Sequence, residues 1–585
     1  MMRSYLFEPP LDRKEVGNIK SFMSLVISSN EVMPSPSGKK RGFPRLFVIG
    51  IDGATFEALS PLIREGVLPT LAEVLRRGSH GELESTIPPV TIPAWVSMVT
   101  GKNPGKLGLF DLLKRRPGSY GVTPAEVRFW EHTPFWSVLN KYGISTGLLN
   151  IPGTYPPRRV EGFMVTGMFT PSERHCFAYP PELVKELNEV VSHYDIDVGQ
   201  WQYFDEGRFL RDLYRVTEKR RRALMYLTES YPCDFYMAVF TCTDRLQHVL
   251  WKRRDLMESY WSWFDSLLGE ILRRFGEETT FFMVSDHGFG PIRRTFYVNE
   301  WLRRMGYLAV KRDVKMESFV KIGRVVENLY YKLGRFKVIY PLASTLNKLL
   351  GMGRLRYYTY DYLSKDRLVN WTDWSRTRAF ALVHTPHYGH IYINVKGRMP
   401  QGCVDPKDYE EVREEVIGDL SRLRDPSTGE AVKIRVYRRE EVYEGPHVEE
   451  APDIIFVIDN FECEVDPKLG HPKVFEERPS DPRWTGTHKR NGVFMAYGPD
   501  IREGHRIEGA RITDVAPTIL HLLGAPIPGD VDGKVLLEIF EEGSEAAERP
   551  PVYGLPGEGV AAGRGLDEED RRLVMERLRR LGYIG

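Results

Sequence analysis

Short runs of uninterrupted apolar residues recur along this chain, and each closes on an acidic or otherwise polar residue. Arg45-Leu-Phe-Val-Ile-Gly-Ile51 is followed by Asp52-Gly53, and Phe235–Phe240 and Thr280–Ser285 repeat the pattern. None of the three alternates apolar with polar positions, as expected of strands buried on both faces. Helical periodicity fills the intervals, over Leu62–Arg77 and Glu218–Ser230. Strands alternating with helices predict an α/β fold, a mostly parallel sheet sandwiched by helices.

The pattern changes between His287 and His488, over roughly 200 residues. A strand is expected at His390–Val395, a charged helix at Pro406–Leu423 and a strand at Asp453–Ile458, which suits an inserted α/β cap subdomain. Core character returns with a strand at Gly492–Tyr497 and an apolar helix at Asp514–Leu523, stopped by Gly524. A Gly-rich linker then precedes an amphipathic helix, Glu568–Leu581. The expected organisation is a flexible N-terminal extension at 1–43 and a first core part at 44–290. The cap follows at 291–485, a second core part at 486–545, and a linker with its helix at 546–585.

Composition narrows the class. Lys and Arg number 81 against 80 Asp and Glu, so no global field favours nucleic acid, and any anion preference is local. One local surplus exists: residues 308–358 carry eleven Lys or Arg against three acidic residues. That segment reads as a solvated helical face, as a basic lid over an anionic substrate, or as a peripheral contact for anionic lipid. Five scattered cysteines without a CxxC pair argue against a disulfide framework or thiolate metal site. The short apolar stretch Phe22–Ile27 is a poor signal peptide, and no run reaches the length of a membrane span, so a cytoplasmic protein is expected. Scarce glutamine beside 28% charged residues leans toward a thermophilic source.

Ligands of open α/β sheets gather at the carboxyl ends of the strands. The first strand ends at Asp52, the third at Asp286-His287, and the Phe235 strand leads into Asp244 with His248 four residues on. A helix starting there sets Asp244 and His248 on one face. His488, in Gly486-Thr-His488-Lys, is a sixth candidate. Taken singly, Asp-Gly is an ordinary turn and a lone histidine an ordinary buried residue; the argument rests on their number at strand ends. Mixed carboxylate and imidazole donors suit Zn²⁺, Mn²⁺ or Fe better than Mg²⁺ or Ca²⁺.

A nucleophile is offered by Thr91, near the start of a helix in which Pro93 is tolerated and Gly101 ends the run. Free N–H groups and the helix dipole there favour an alkoxide and a bound phosphate. The plainer reading is an N-capping threonine.

The ordered set Ile49-Gly-Ile-Asp52-Gly-Ala-Thr, Ile87-Pro-Pro-Val-Thr91-Ile-Pro-Ala-Trp, Thr100-Gly-Lys-Asn-Pro-Gly, Thr243-Asp244-Arg-Leu-Gln-His248, Ser285-Asp286-His287-Gly and Gly486-Thr-His488 resembles the type I phosphodiesterases and nucleotide pyrophosphatases of the alkaline phosphatase superfamily. It looks closest to their prokaryotic branch of predicted phosphohydrolases and phosphomutases, over about residues 45–540. The resemblance implies two divalent metal ions, Zn²⁺ first and Mn²⁺ second. Asp52, Asp286, His287 and Thr91 would hold one, and Asp244, His248 and His488 the other. It also implies attack by Thr91 on a small-molecule phosphodiester or related ester through a phosphothreonine. One departure is Asp111, where nucleotide pyrophosphatases have a phosphate-contacting asparagine; an ionised carboxylate cannot donate. The rivals are a cofactor-independent phosphomutase and a non-catalytic metal-bound phosphate or lipid binder. Sulfatase chemistry is excluded, because a threonine cannot become formylglycine.

Overall fold

The structure is a computed structural model that describes residues 43–129, 131–199, 206–312, 367–382, 387–477, 483–555, 557 and 565–581. The N-terminal extension up to residue 42 and the basic segment from 313 to 358 lie outside the described residues.

Leu46–Ile51 is buried at every position and takes the centre of a ten-stranded sheet. Phe235–Phe240 pairs with it in parallel on one side and Thr280–Val284 on the other. Beyond Phe235–Phe240 come Thr146–Ile151 and Gly162–Thr166, also parallel. On the far side Asn491–Tyr497 runs antiparallel to Thr280–Val284 and pairs with Ser79–Glu84. The sheet is therefore mostly parallel, as the uninterrupted apolar runs require, and Asn491–Tyr497 is one of its antiparallel members.

Side-chain alternation along the central strand shows how both faces are covered. Phe47 meets Phe275 of the helix Arg254–Phe275, whereas a Cβ on Gly50 would lie 2.5 Å from Trp95 of the helix Thr91–Thr100. Positions 47 and 50 face opposite sides, so these helices lie on opposite faces. Gly50 lets the Trp95 indole rest directly on the strand, which brings the start of the Thr91 helix against the strand's end.

Two helical expectations change in extent. The run expected at Leu62–Arg77 is two helices, Phe56–Arg64 and Pro69–Arg77. Gly66 takes a φ of 76° and Pro69 opens the second helix, so the chain breaks where periodicity alone ran through. Conversely, Glu218–Ser230 is the end of a longer helix beginning at Glu206.

A four-stranded antiparallel sheet is ordered Ala379–Phe380, Gly389–Ile393, Ile454–Ile458, Ile434–Arg438, with the helix Tyr409–Ser421 packed on it. It has its own apolar cluster, including Trp301, Trp374, Phe380 and Phe456. The chain crosses back to the main sheet through Gly486–Lys489, which pairs antiparallel with Gly288–Pro291. The motif after Thr100 is structural: Lys102, nearly fully buried, pairs with Asp530, and Lys106 with Asp532, fastening the end of the Thr91 helix to the C-terminal part of the core.

Gly50→Ala tests this packing. The added methyl must displace Trp95 or Val239, and urea unfolding is expected to record a loss of about 1–3 kcal/mol, with an unchanged m-value.

Candidate metal centre

Four separated segments deliver the predicted residues to one buried place. Asp52 follows the central strand and precedes Gly53, whose φ of 71° makes the turn. Thr243 Oγ1 donates to the Asp52 carbonyl at 2.6 Å and Gln247 Nε2 to the Gly53 carbonyl at 2.8 Å, which fixes the helix Cys242–Leu250 to that turn. Asp244 and His248 lie one turn apart on this helix. Asp286 and His287 follow Thr280–Val284, their carbonyls held by the hydroxyls of Ser85 and Ser285. His488 sits in Gly486–Lys489, directly across from Phe289. All six, and Thr91, are 0% exposed.

Hydrogen bonds set the tautomers of the three histidines. Nδ1 of His248 faces the Gly486 carbonyl at 3.0 Å, that of His287 the Gly288 carbonyl at 3.1 Å and that of His488 the Pro89 carbonyl at 2.8 Å. A carbonyl only accepts, so Nδ1 carries the proton and Nε2 presents a lone pair. Those lone pairs converge on other acceptors. His248 Nε2 and His488 Nε2 are 3.0 Å apart, and Asp244 Oδ1 is 3.0 Å from His488 Nε2. His287 Nε2 is 3.2 Å from Asp286 Oδ2 and 3.5 Å from Asp52 Oδ1. Ligand atoms of Asp244, His248 and His488 all lie within 4.8 Å of one another, as do those of Asp52, Asp244 and His287. Asp244 is common to both groups.

Such an array repels itself unless cations lie within it. Asp52 Oδ1, Asp286 Oδ2, His287 Nε2 and Thr91 Oγ1 have no hydrogen-bond partner among the described residues, although all are buried. Buried polar atoms are normally satisfied. Unpartnered oxygen and imidazole donors at this spacing fit divalent metal ions.

The electrostatics point the same way. Burial, with Asp286 and Asp244 nearby, holds the Asp52 carboxyl well above the ordinary carboxylate range, and burial with Asp244 does so for Asp286. Asp244 is the exception: burial would raise it, but His248 and Arg245 beside it carry it well below. Burial pushes His248 down to about 4 and His287 well below its usual value. The His248 and His287 imidazoles are thus neutral and able to coordinate, while the metal-free carboxyls Asp52 and Asp286 retain protons.

Thr91 is the first residue of its helix rather than the cap. Val90 occupies the N-cap position without a side-chain hydrogen bond, so the capping reading of Thr91 fails. One turn on, Trp95 Nε1 donates to Asp52 Oδ2 at 3.4 Å and ties the helix start to the carboxylates. Asp111 is turned to other work: its carboxylate accepts from the Tyr388 hydroxyl at 2.7 Å and from the Leu112 N–H at 2.6 Å.

Several contributors escaped sequence reasoning. Arg245, fully buried, pairs with Asp244 and with Asp197 Oδ2 at 2.7 Å, orienting Asp244 from behind. Its place between Asp244 and His248 was a signal, since a helix position facing inward beside two ligands forces a charged side chain into the core. His387 and Tyr388 come from the four-stranded sheet's side and carried no spacing that set them apart.

The mostly parallel sheet and its buried carboxylate and imidazole centre, whose donors could hold metal ions, fit a family of phosphoric ester hydrolases. The chain belongs to the type I phosphodiesterase/nucleotide pyrophosphatase family, whose sequence model matches residues 46–341, about half its length. Among solved structures it is similar to murine ectonucleotide pyrophosphatase/phosphodiesterase 5, an inactive variant in complex with AMP. The two share 14% identity at a TM-score of 0.45, over 83% of this chain and 96% of that one. The human counterpart gives 14% identity and a TM-score of 0.43, over 82% and 95%. No curated protein sequence matches the chain. Among the described residues, no helix is long and apolar enough to cross a membrane.

Metal binding must displace the protons held by Asp52 and Asp286. These raised carboxyls stabilise the metal-free fold below the unfolded carboxylate value near 3.8, and that contribution is lost as pH rises through their folded values. His248 acts oppositely, its effect being lost as pH falls from the unfolded value of 6.5 toward 4. The melting-temperature rise produced by a fixed excess of Zn²⁺ is therefore expected to grow from about pH 5 to pH 7.5, with a flatter profile in Asp52→Asn. Differential scanning calorimetry of chelated and reloaded protein checks this.

Proposed function

We propose that the chain hydrolyses a small-molecule phosphodiester or related phosphate ester through a phosphothreonine at Thr91. The observation that carries this reading is the buried, unpartnered Thr91 Oγ1 at the start of a helix that Trp95 ties to Asp52, together with the equally unpartnered Asp52 Oδ1, Asp286 Oδ2 and His287 Nε2. Asp52, Asp286, His287 and Thr91 would hold one divalent ion, and Asp244, His248 and His488 a second. Three imidazole donors favour Zn²⁺ or Mn²⁺ over Mg²⁺. Two such ions would lower the hydroxyl pKa of Thr91 and offset charge on the leaving oxygen.

The residues divide the work as follows. Thr91 gives up its hydroxyl proton and its Oγ attacks phosphorus, the bond from phosphorus to the leaving oxygen breaks, and that oxygen departs with its electron pair and takes up a proton in exchange for the one Thr91 released. Water then attacks the phosphothreonine, releases the phosphoryl group and restores the Thr91 hydroxyl. Trp95 and the Thr243 and Gln247 hydrogen bonds hold the carboxylate turn still during both steps, while Arg245 keeps Asp244 ionised and aimed inward.

We further read residues 291–485 as a cap on this centre, supported by their separate sheet and apolar cluster. The five unpaired cysteines support a reducing, cytoplasmic setting.

Thr91→Ala is expected to lower Zn²⁺- or Mn²⁺-dependent turnover of bis-p-nitrophenyl phosphate by about three orders of magnitude or more. Acid quenching of the parent enzyme should yield a Thr91 peptide carrying the p-nitrophenyl phosphoryl group by mass spectrometry, and turnover in H₂¹⁸O should place label in the released p-nitrophenyl phosphate. Equal rates for parent and variant would remove Thr91 as nucleophile. Transfer of unlabelled phosphate to a second hydroxyl would replace hydrolysis by mutase chemistry.

A further inference from the structure

A fourth imidazole lies on the centre and belongs to neither group of ligands. His387 precedes Gly389–Ile393 of the four-stranded sheet, so it arrives from a different part of the fold than Thr91 and the six candidate ligands. Its ring is parallel to that of His488, with centroids 4.0 Å apart and planes at 16°. His287 also stacks on His488, at 3.5 Å and 18°. Two rings cannot share one face of a third at these separations, so His488 is sandwiched between His287 and His387.

His387 is 1% exposed, and neither of its ring nitrogens has a partner among the described residues. An imidazole buried in this state is costly unless something else satisfies it. Stacking face to face sends its nitrogens past His488 rather than toward His488 Nε2, and His387 does not share in the close groupings of ligand atoms. It is therefore placed beside the metal centre without being directed at the metals.

Beyond the backbone N–H groups at the start of the Thr91 helix, side-chain donors for an incoming anion are few among the described residues of the centre. Its histidines present lone pairs, the Trp95 N–H is given to Asp52, and Arg245 is bound to Asp244 and Asp197. Asp111 is an acceptor engaged by Tyr388, the residue next to His387. A neutral imidazole, in either tautomer, offers one N–H. The Tyr388–Asp111 hydrogen bond holds the adjoining His387 over His488.

We propose that His387 contacts the substrate's phosphoryl group, donating its ring N–H to a phosphoryl oxygen, and that Tyr388 and Asp111 position it. This rests on the two-metal hydrolase reading given above.

Binding of inorganic phosphate to the Zn²⁺-loaded full-length chain, followed by calorimetry, tests the contact without requiring turnover. His387→Ala is expected to weaken phosphate binding roughly 10- to 100-fold with zinc content unchanged. His387→Asn keeps an N–H donor and should recover part of the loss, and it reads the same contact if the alanine variant does not fold. Phosphate affinity unchanged in both variants overturns the proposal, and so does a loss of bound zinc, which would make His387 a metal ligand. Parallel turnover of bis-p-nitrophenyl phosphate separates the two readings. If the parent enzyme shows no Thr91-dependent turnover, the hydrolase reading fails, while the phosphate measurement still decides the role of His387.

Discussion

Acceptors that face acceptors in a sealed interior govern this structure. Three carboxylates and three Nε2 lone pairs meet there, with Asp52 Oδ1, Asp286 Oδ2 and His287 Nε2 lacking a donor among the described residues, and the opposed nitrogens of His248 and His488 are only 3.0 Å apart. In a low-dielectric interior such a cluster opposes folding, and the raised Asp52 and Asp286 carboxyls show the metal-free chain relieving it with protons. The surrounding packing overrides the repulsion: every residue of the central strand is buried, and the helices over both faces hold the turn at Asp52 in place. A divalent cation held among these donors would relieve the same repulsion, and its binding would then be coupled to folding.

Rigidity behind the ligands keeps the array from collapsing into internal hydrogen bonds. Each Nδ1 is bound to a backbone carbonyl, so no imidazole can turn its N–H toward a neighbouring carboxylate. Arg245 draws on the outer oxygen of Asp244, and Asp197 balances Arg245 in turn. Since Asp244 belongs to both ligand groups, the buried Arg245 bears on both at once. Removing Asp197 would leave the buried guanidinium to Asp244 alone and draw that carboxylate away from the centre, so this second layer is as constrained as the candidate ligands themselves.

What could be read in the sequence follows from which interactions are local. The unbroken apolar runs at Leu46–Ile51, Phe235–Phe240 and Thr280–Val284 announce strands covered on both faces, and acidic residues at their ends stand out because that edge is where ligands gather. Asp244 and His248 are one helical turn apart and equally visible. The break between Arg64 and Pro69 was signalled by Gly66 and Pro69, yet apolar spacing concealed it. His387 was illegible for a deeper reason. Its significance lies in a stacking contact with a residue some hundred positions later, made from the turn that leads into Gly389–Ile393, and no local pattern encodes such a meeting.

Closing the centre depends on a connection that is itself non-local. His488 reaches its partners only because Gly486–Lys489 returns, after nearly two hundred residues, to pair with Gly288–Pro291 beside Asp286 and His287. Loop-closure entropy grows only logarithmically with length, by about 0.6 kcal/mol per doubling. A long insertion between these two short strands is therefore inexpensive, provided the ribbon registers correctly. Phe289 opposite His488 supplies that register, and the His248 ring packs against both, at 4.7 Å from Phe289 and 4.9 Å from His488. One short antiparallel ribbon thus lets the intervening segment carry its own sheet and core while returning a candidate ligand to its place. The same arrangement puts His387 and Tyr388, just ahead of that sheet's strand Gly389–Ile393, against the centre they did not build.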